Sequence, residues 1–235
     1  DEEAVEELQR IVGCERPLAR MDCFDISHNQ GSETVSSMVV FRYGAPSKKD
    51  YRRFKRQSTE GKPDDFKSMQ ETVYRRYKDY EDLPDLIIID GGKGQLSSSL
   101  KVIRGLGIDA KVIGLAKQEE EIFLEGQSDS IILDKASPAL HVIQHIRDEA
   151  HRFAITYHRK RLQKKNLVSV LDNIEGIGPA RRKALWKAFS TLEAMKAASE
   201  EELAAVEGMN KPAARTLYEF FHSDIVKKKD MIGKL

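Results

Sequence analysis

Two aspartates interrupt apolar segments of the sequence, and carboxylates in such positions are typical of metal ligands. Leu86–Ile89 is a continuous apolar run, which predicts a strand buried on both faces, and Asp90 follows it directly. Asp25 stands between Phe24 and Ile26 in an earlier apolar segment. Removing a carboxylate from water is costly, and a divalent cation with oxygen ligands offsets that cost. The sequence therefore predicts that Asp25 and Asp90 bind a shared Mg²⁺ or Mn²⁺.

A histidine on a predicted helix is the third candidate. Apolar residues recur at helical spacing from about Pro138 to Tyr157, and His151 lies beside the apolar stripe. An imidazole there would complete the metal site or act as a general acid or base on a phosphate held by the cation. His141, His145 and His158 are weaker candidates, because they lie on the more polar surface or beyond the helix.

Each of these residues also has an ordinary structural interpretation. Asp90 followed by two glycines is common turn chemistry, in which the aspartate caps the next helix. Asp25 would equally pair with the nearby His28. The stretch Gly91–Gly94 invites a phosphate-loop interpretation, but it lacks the glycine and lysine spacing of the known nucleotide-binding loops.

A mixed sheet is needed to bring the two aspartates together. Three β-rich segments joined by short turns, Met21–Ile26, Thr34–Tyr43 and Tyr51–Phe54, predict an antiparallel meander. The buried strand at Leu86 is followed by helix Lys93–Arg104 and strand Lys111–Leu115, an order that favours parallel pairing. Together they predict an α/β fold: a ribonuclease H-like mixed sheet with flanking helices, in which the strands of Asp25 and Asp90 are neighbours.

The last third of the chain differs from the rest in charge. Residues 1–150 carry 22 Lys and Arg against 28 Asp and Glu, whereas residues 151–235 carry 17 against 10. The basic run His158–Asn166 is expected to be a linker. We therefore expect domains at 1–157 and 169–235 with a basic linker at 158–168, and the basic excess of the second domain indicates a polyanionic partner.

A glycine hairpin occurs twice in this basic region. Gly176-Ile177-Gly178 precedes a predicted helix, and 32 residues later Gly208-Met209-Asn210 precedes another. Glycine lets a backbone approach a phosphate closely, and the next helix offers its free N–H groups there. Asn210 replaces the second glycine, which leaves the contact of that hairpin open. The predicted DNA-binding residues are Gly176, Ile177, Gly178, Arg181, Arg182, Gly208, Met209 and Lys211.

The remaining composition bounds the class of protein. Two cysteines are too few for a zinc or disulfide framework, which favours a reducing compartment. No signal peptide or long apolar span is evident, so we expect a cytoplasmic protein that does not bind membranes.

Several sequence segments, together with the double hairpin, resemble the carboxyl-terminal half of UvrC, the incision subunit of bacterial nucleotide excision repair. The resemblance covers nearly the whole chain. The segments are Met21–His28, Tyr51–Phe54, Ile88–Leu96, Ser137–His141 and Arg147–Ala154.

This resemblance implies an endonuclease domain that makes the incision on the 5′ side of a DNA lesion, followed by a tandem helix–hairpin–helix domain. The family's acidic–acidic–histidine site maps onto Asp25, Asp90 and His151, and a further acid of the family matches Asp65. The implied partners are duplex or bubble DNA, UvrB and, upstream, UvrA. The family's amino-terminal nuclease and UvrB-binding segment have no counterpart here, so we expect a part of a longer protein. The alternative is a non-catalytic DNA-binding adaptor with a degenerate nuclease fold.

Overall fold

The computed structural model describes residues 1–28, 33–57, 64–116 and 121–232, and it describes 161–169 and 224–232 as backbone only. The chain divides into two compact units, Asp1–His158 and Arg159–Leu235. Within the described residues, every helix is too short or too polar to span a bilayer.

The described residues of the first unit include an eight-stranded mixed sheet. Its order is β3-β2-β1-β5-β6-β7-β8, and β4 also pairs with β2, on the side away from β1. The antiparallel meander predicted from the sequence is confirmed, since β1 pairs with β2 and β2 with β4. The parallel pairs are also confirmed, since β5 lies between β1 and β6. The strands are β1 (Arg20–His28), β2 (Glu33–Arg42), β3 (Ala45–Pro46), β4 (Arg52–Gln57), β5 (Leu86–Asp90), β6 (Lys111–Leu115), β7 (Glu121–Leu124) and β8 (Ile131–Ile132).

Helices cover both faces of this sheet. The ring of Tyr77 on α2 packs edge-to-face on Phe24, with 6.0 Å between the ring centroids, and α3 packs beside α2, where Gln70 donates to the backbone of Ser98. Neighbouring residues of a strand face opposite ways, so α4 lies on the other face, where His151 reaches Asp25. The helices are α1 (Glu2–Val12), α2 (Asp65–Tyr77), α3 (Gly92–Gly105) and α4 (Pro138–Val170), with a 3-10 turn at Lys48–Asp50.

The centre of the sheet is apolar because β5 is covered on both sides. Every residue from Leu86 to Ile89 is fully buried, as the unbroken apolar run predicts. Burial of these side chains against both helix layers stabilises the unit, at roughly 1.5–3 kcal/mol for each large aliphatic residue.

The predicted end of the long helix was wrong. We expected it to stop at Tyr157, before a basic linker, but α4 continues to Val170. The segment between these residues holds lysine, arginine, glutamine and leucine and no glycine or proline, so nothing in it opposes helix. Its high charge was misleading, because a charged helix is as soluble as a charged linker.

The second unit contains the two glycine hairpins, each followed by a helix. Residues from both halves of the repeat form a single apolar core that includes Leu171, Leu185, Leu203, Leu217 and Phe221. The predicted small helical unit is therefore confirmed. Its helices after the end of α4 are α5 (Pro179–Ala188), α6 (Leu192–Ala197), α7 (Glu200–Ala204) and α8 (Lys211–Ile232).

Candidate metal centre and hairpins

The two predicted aspartates meet because their strands are parallel neighbours. Phe24 of β1 is in register with Ile89 of β5, so Asp25 and Asp90 are the next residues on adjacent strands. Asp90 is the last residue of β5, and its side chain is only 7% exposed. The carboxyl ends of parallel strands are where α/β sheets bind ligands.

The predicted histidine joins the two aspartates. Nε2 of His151 lies 3.1 Å from Oδ2 of Asp90 and 3.6 Å from Oδ2 of Asp25. One ligand atom from each of the three side chains falls within 4.8 Å of the others, and among the described residues this is the one group with the composition and spacing of a metal site. The histidine side chain is 47% exposed, so the centre is open to solvent on the α4 side.

A buried arginine, which the sequence analysis did not single out, also contacts the centre. Nη2 of Arg147 lies 3.2 Å from Oδ1 of Asp90, the oxygen that faces away from His151. Arg147 is one turn before His151 on α4, and that spacing of four is the signal that would have revealed it. Asp90 is thus held at both oxygens, which fixes the orientation of its carboxylate.

The protonation of Asp25 reflects its crowded surroundings. Burial, followed by the negative charge of Asp90, raises the pKa of Asp25 from 3.8 to about 6, and His151 and Arg147 oppose the rise. Holding both carboxylates ionised at neutral pH therefore costs free energy in the metal-free protein. A divalent cation between them would remove that cost, so this donor set of two carboxylates and an imidazole fits Mg²⁺ or Mn²⁺.

Contacts with the meander hold α4 in place around the histidine. The hydroxyl of Tyr51 donates to Oε1 of Glu149 at 2.9 Å, two residues before His151. Nη2 of Arg53 donates to the backbone carbonyl of Phe153 at 2.9 Å, two residues after it. These bonds tie both sides of the histidine to β4 and to the residue just before it.

The turn after Asp90 requires glycine within it and a small residue on the strand beside it. Gly91 has φ of 145° and Gly92 has φ of 86°, values that favour glycine. A Cβ on Gly114 of β6 would lie 3.2 Å from the carbonyl oxygen of Gly92, so this neighbour must also be small. The glycines therefore shape the turn that ends β5 and starts α3, and nothing here requires a bound nucleotide to explain them.

The third predicted acid, Asp65, does not belong to the convergent group. Asp65 is the first residue of α2, and Asp64 before it caps the helix by accepting from the backbone N–H of Lys67 at 3.1 Å. Asp65 is not among the three residues whose ligand atoms converge. Its role in the site stays a prediction.

The two glycine hairpins of the second unit are joined by one side chain. Arg181 donates from Nη1 to the carbonyl of Gly176 at 2.6 Å and from Nε to the carbonyl of Gly208 at 2.9 Å. Both glycines have φ near 80°, a value that requires glycine in a tight turn. The guanidinium predicted to contact DNA therefore binds the backbone of both hairpins.

The two hairpins differ at the start of the following helix. Gly178 caps α5 without a side chain, in an extended conformation that any residue adopts, and a Cβ there would meet no described atom within 4 Å. Asn210 instead accepts from the N–H of Ala213 at 2.9 Å and so caps α8 itself. The first hairpin leaves its amides open, whereas one amide of the second is occupied.

The other predicted DNA-binding residues have mixed surroundings. The side chain of Ile177 is buried in the core of the second unit, so only its backbone can face a ligand. Met209 is partly buried against the same core. Arg182 forms an ion pair with Asp172 at 3.5 Å, and Lys211 is the first residue of α8.

The mixed sheet, with its acidic cluster at the ends of two parallel strands, defines a ribonuclease H-like domain. The chain belongs to the UvrC RNAse H endonuclease domain family, whose model matches residues 9–155. A second model, the SAM-like helix-hairpin-helix tandem, matches residues 168–223. The predicted family and fold class are thereby confirmed, and the domain is a nuclease domain.

Two similar proteins share one name with each other. UvrABC system protein C of Desulforudis audaxviator is 44% identical over 93% of this chain, and that of Dictyoglomus thermophilum is 48% identical over 93%. The chain spans 39% and 37% of these relatives, so they are much longer. Among solved structures, human ENDOV is 12% identical with a TM-score of 0.36, covering 68% of this chain and 98% of that one, a likeness too weak for any functional argument.

Proposed function

We propose that this chain is the part of a longer excision-repair protein that makes the 5′ incision next to a DNA lesion, with a divalent cation, after UvrA and UvrB have located the damage. The observation that carries the proposal is the convergence of Asp25, Asp90 and His151 within a domain of this nuclease family. Residues 1–157 would form the nuclease domain and 169–235 the DNA-binding domain, with the basic segment 158–168 between them.

Each residue of the centre has a distinct proposed role. Asp25 and Asp90 would hold Mg²⁺ or Mn²⁺, and the imidazole of His151 would be the third ligand or move a proton at the reacting phosphate. Arg147 would keep the Asp90 carboxylate turned towards the cation. When bound, the cation supplies a Lewis acid for the scissile phosphate and for the attacking water.

Incision in a reconstituted system tests this function. The full-length protein containing these residues is mixed with UvrA, UvrB and a lesion-bearing duplex, and the 5′ cut is followed on a labelled strand. We expect the cut to require Mg²⁺ or Mn²⁺ and to stop with a chelator, whereas a cut that persists without metal contradicts the proposal. Calorimetric titration with Mn²⁺ distinguishes the nuclease from a non-catalytic DNA-binding adaptor. A nuclease should lose a Mn²⁺ site on Asp25→Ala, whereas an adaptor should lose none.

We expect Asp25→Asn to raise the melting temperature of the metal-free chain by a few degrees at pH 7.5. The pKa of Asp25 is about 6 in the folded chain and 3.8 otherwise, so its ionisation lowers stability as pH rises between these values and the full cost remains above pH 6. The gain should vanish near pH 4, where the native carboxyl is neutral. Thermal unfolding in a chelator checks this, and an equal or lower melting temperature at pH 7.5 contradicts it.

The first hairpin is the stronger candidate for a phosphate contact. Neither the backbone conformation nor any described neighbour requires glycine at 178, so an external group that approaches closely would explain it. The open N-terminus of α5 then offers its N–H groups to that phosphate. Such a contact with the backbone of DNA is independent of sequence, which suits a repair protein.

Arg181→Gln is expected to lower DNA affinity about tenfold, the effect of losing a hydrogen bond to a charged group. The reason is that Arg181 fixes the two hairpins relative to each other. Its effect should therefore be less than additive with that of Lys211→Ala in the second hairpin. Fluorescence anisotropy with a labelled duplex measures both, and Arg215→Gln, which removes an exposed arginine paired within α8, is the control. Strictly additive effects would contradict this role.

A further inference from the structure

The edge strand β4 places two cations on the same sheet face as the metal centre. Ser37 of β2 lies opposite Asp25, and Arg53 of β4 lies opposite Ser37, so the three side chains form one row on the α4 side. Lys55 follows two residues later on that face. β1 and β4 are both antiparallel to β2, so they run in the same direction. Lys55 therefore lies towards the end of the sheet at which β5 stops, at Asp90.

Both cations rest on aromatic rings of α4. The guanidinium carbon of Arg53 lies 3.7 Å from the centroid of the Phe153 ring and 5.1 Å from that of Tyr157. Nζ of Lys55 lies 5.4 Å from the Tyr157 centroid. Cations interleaved with aromatic rings are the side-chain combination that binds single strands of nucleic acid, through phosphates and stacked bases.

These two cations differ from the cation on the opposite face of β4 in having no ion pair among the described residues. Arg56, on the opposite face of β4, forms an ion pair with Glu71. In contrast, no described carboxylate forms an ion pair with Arg53 or Lys55. Arg53 is half-buried, and burial lowers the pKa of its guanidinium, so the fold holds a cation there at a cost. An external anion would offset this cost.

We propose that Arg53, Lys55 and the ring of Tyr157 form a second DNA contact, which holds the cut strand on one side of the metal centre. This inference rests on the proposed nuclease function. Two strand spacings separate Arg53 from Asp25, or about 10 Å. That distance corresponds to about three nucleotides along one strand, so the contacted phosphates flank the scissile one.

Lys55→Ala tests the phosphate contact in the chain as it stands. A fluorescein-labelled duplex with an unpaired bubble is titrated at several salt concentrations by anisotropy. Losing one phosphate contact should lower affinity about eightfold at 0.1 M salt and reduce the salt slope by about 0.7 to 0.9. Lys55→Glu should lower affinity further. Lys101→Ala is the matched control, because it removes an exposed lysine from α3 on the opposite face.

Substitution of Tyr157 tests the aromatic part. Tyr157→Phe keeps the ring and should bind bubble DNA as the parent chain does, whereas Tyr157→Leu should bind it several-fold more weakly. Melting temperatures equal to that of the parent show that each variant is folded. A Lys55→Ala variant with the parent's affinity and salt slope overturns this proposal alone, whereas a parent chain that does not bind DNA overturns the proposed function as well.

Discussion

Asp90→Asn is expected to slow the 5′ incision by at least about 10³-fold, which corresponds to ~4 kcal/mol of lost transition-state stabilisation. An amide is a neutral and poorer ligand for Mg²⁺ or Mn²⁺ than a carboxylate, and it leaves Arg147 without its anionic partner. Single-turnover incision by the full-length protein with UvrA and UvrB, at saturating DNA, measures the rate of the cutting step.

Two controls make this result specific to the metal centre. Asp109→Asn removes an exposed carboxylate before the amino end of β6, at the end of the sheet opposite Asp90, and should cut at the parent rate. Duplex affinity of the Asp90→Asn chain should stay within about twofold of the parent, because the hairpins that are proposed to hold the backbone are unchanged. Incision by Asp90→Asn at the parent rate would refute the assignment of the centre.

Asp22→Ala should have the largest effect on stability, lowering the free energy of unfolding by about 3–5 kcal/mol. Asp22 is fully buried and accepts hydrogen bonds from Nε of Arg20 at 2.9 Å and from the hydroxyl of Tyr77 at 2.7 Å. It also pairs with Arg76 at 3.3 Å, and both arginines are nearly buried. Removing the carboxylate would leave two cations inside the protein without an anion.

Differential scanning calorimetry measures this loss as a fall of roughly 10 °C in the melting temperature of the first unit. Glu125→Gln is the control, since it breaks an exposed ion pair with Arg104, and exposed pairs contribute at most about 1 kcal/mol. If Asp22→Ala melted as Glu125→Gln does, the buried network would not be the main electrostatic support of the fold.

The elements that form the centre could be predicted because each left a strong local pattern. The apolar run before Asp90 and the apolar segment around Asp25 predicted the two strands, and the short turns predicted the meander. Parallel pairing then brought the aspartates to one edge. His151 followed from its position beside the apolar stripe, although the spacing alone could not show that it reaches Asp90.

Other features depended on long-range packing, which leaves little trace in a single sequence. Asp22 and Asp25 lie three residues apart and so face opposite sides of the sheet. Asp22 is neutralised by arginines and Asp25 is available to a cation. In the sequence alone, both residues are acids in the same predicted strand. Arg181 was predicted to bind phosphate because of its charge, whereas its bonds to two hairpin carbonyls depend on how the repeats pack.

Anomalous diffraction from a crystal soaked in Mn²⁺ would show where the cation binds. We expect a peak about 2.1 Å from a carboxylate oxygen of Asp25, a carboxylate oxygen of Asp90 and Nε2 of His151. A peak elsewhere, or no peak at a concentration of Mn²⁺ that supports incision, would contradict the assignment of the metal centre.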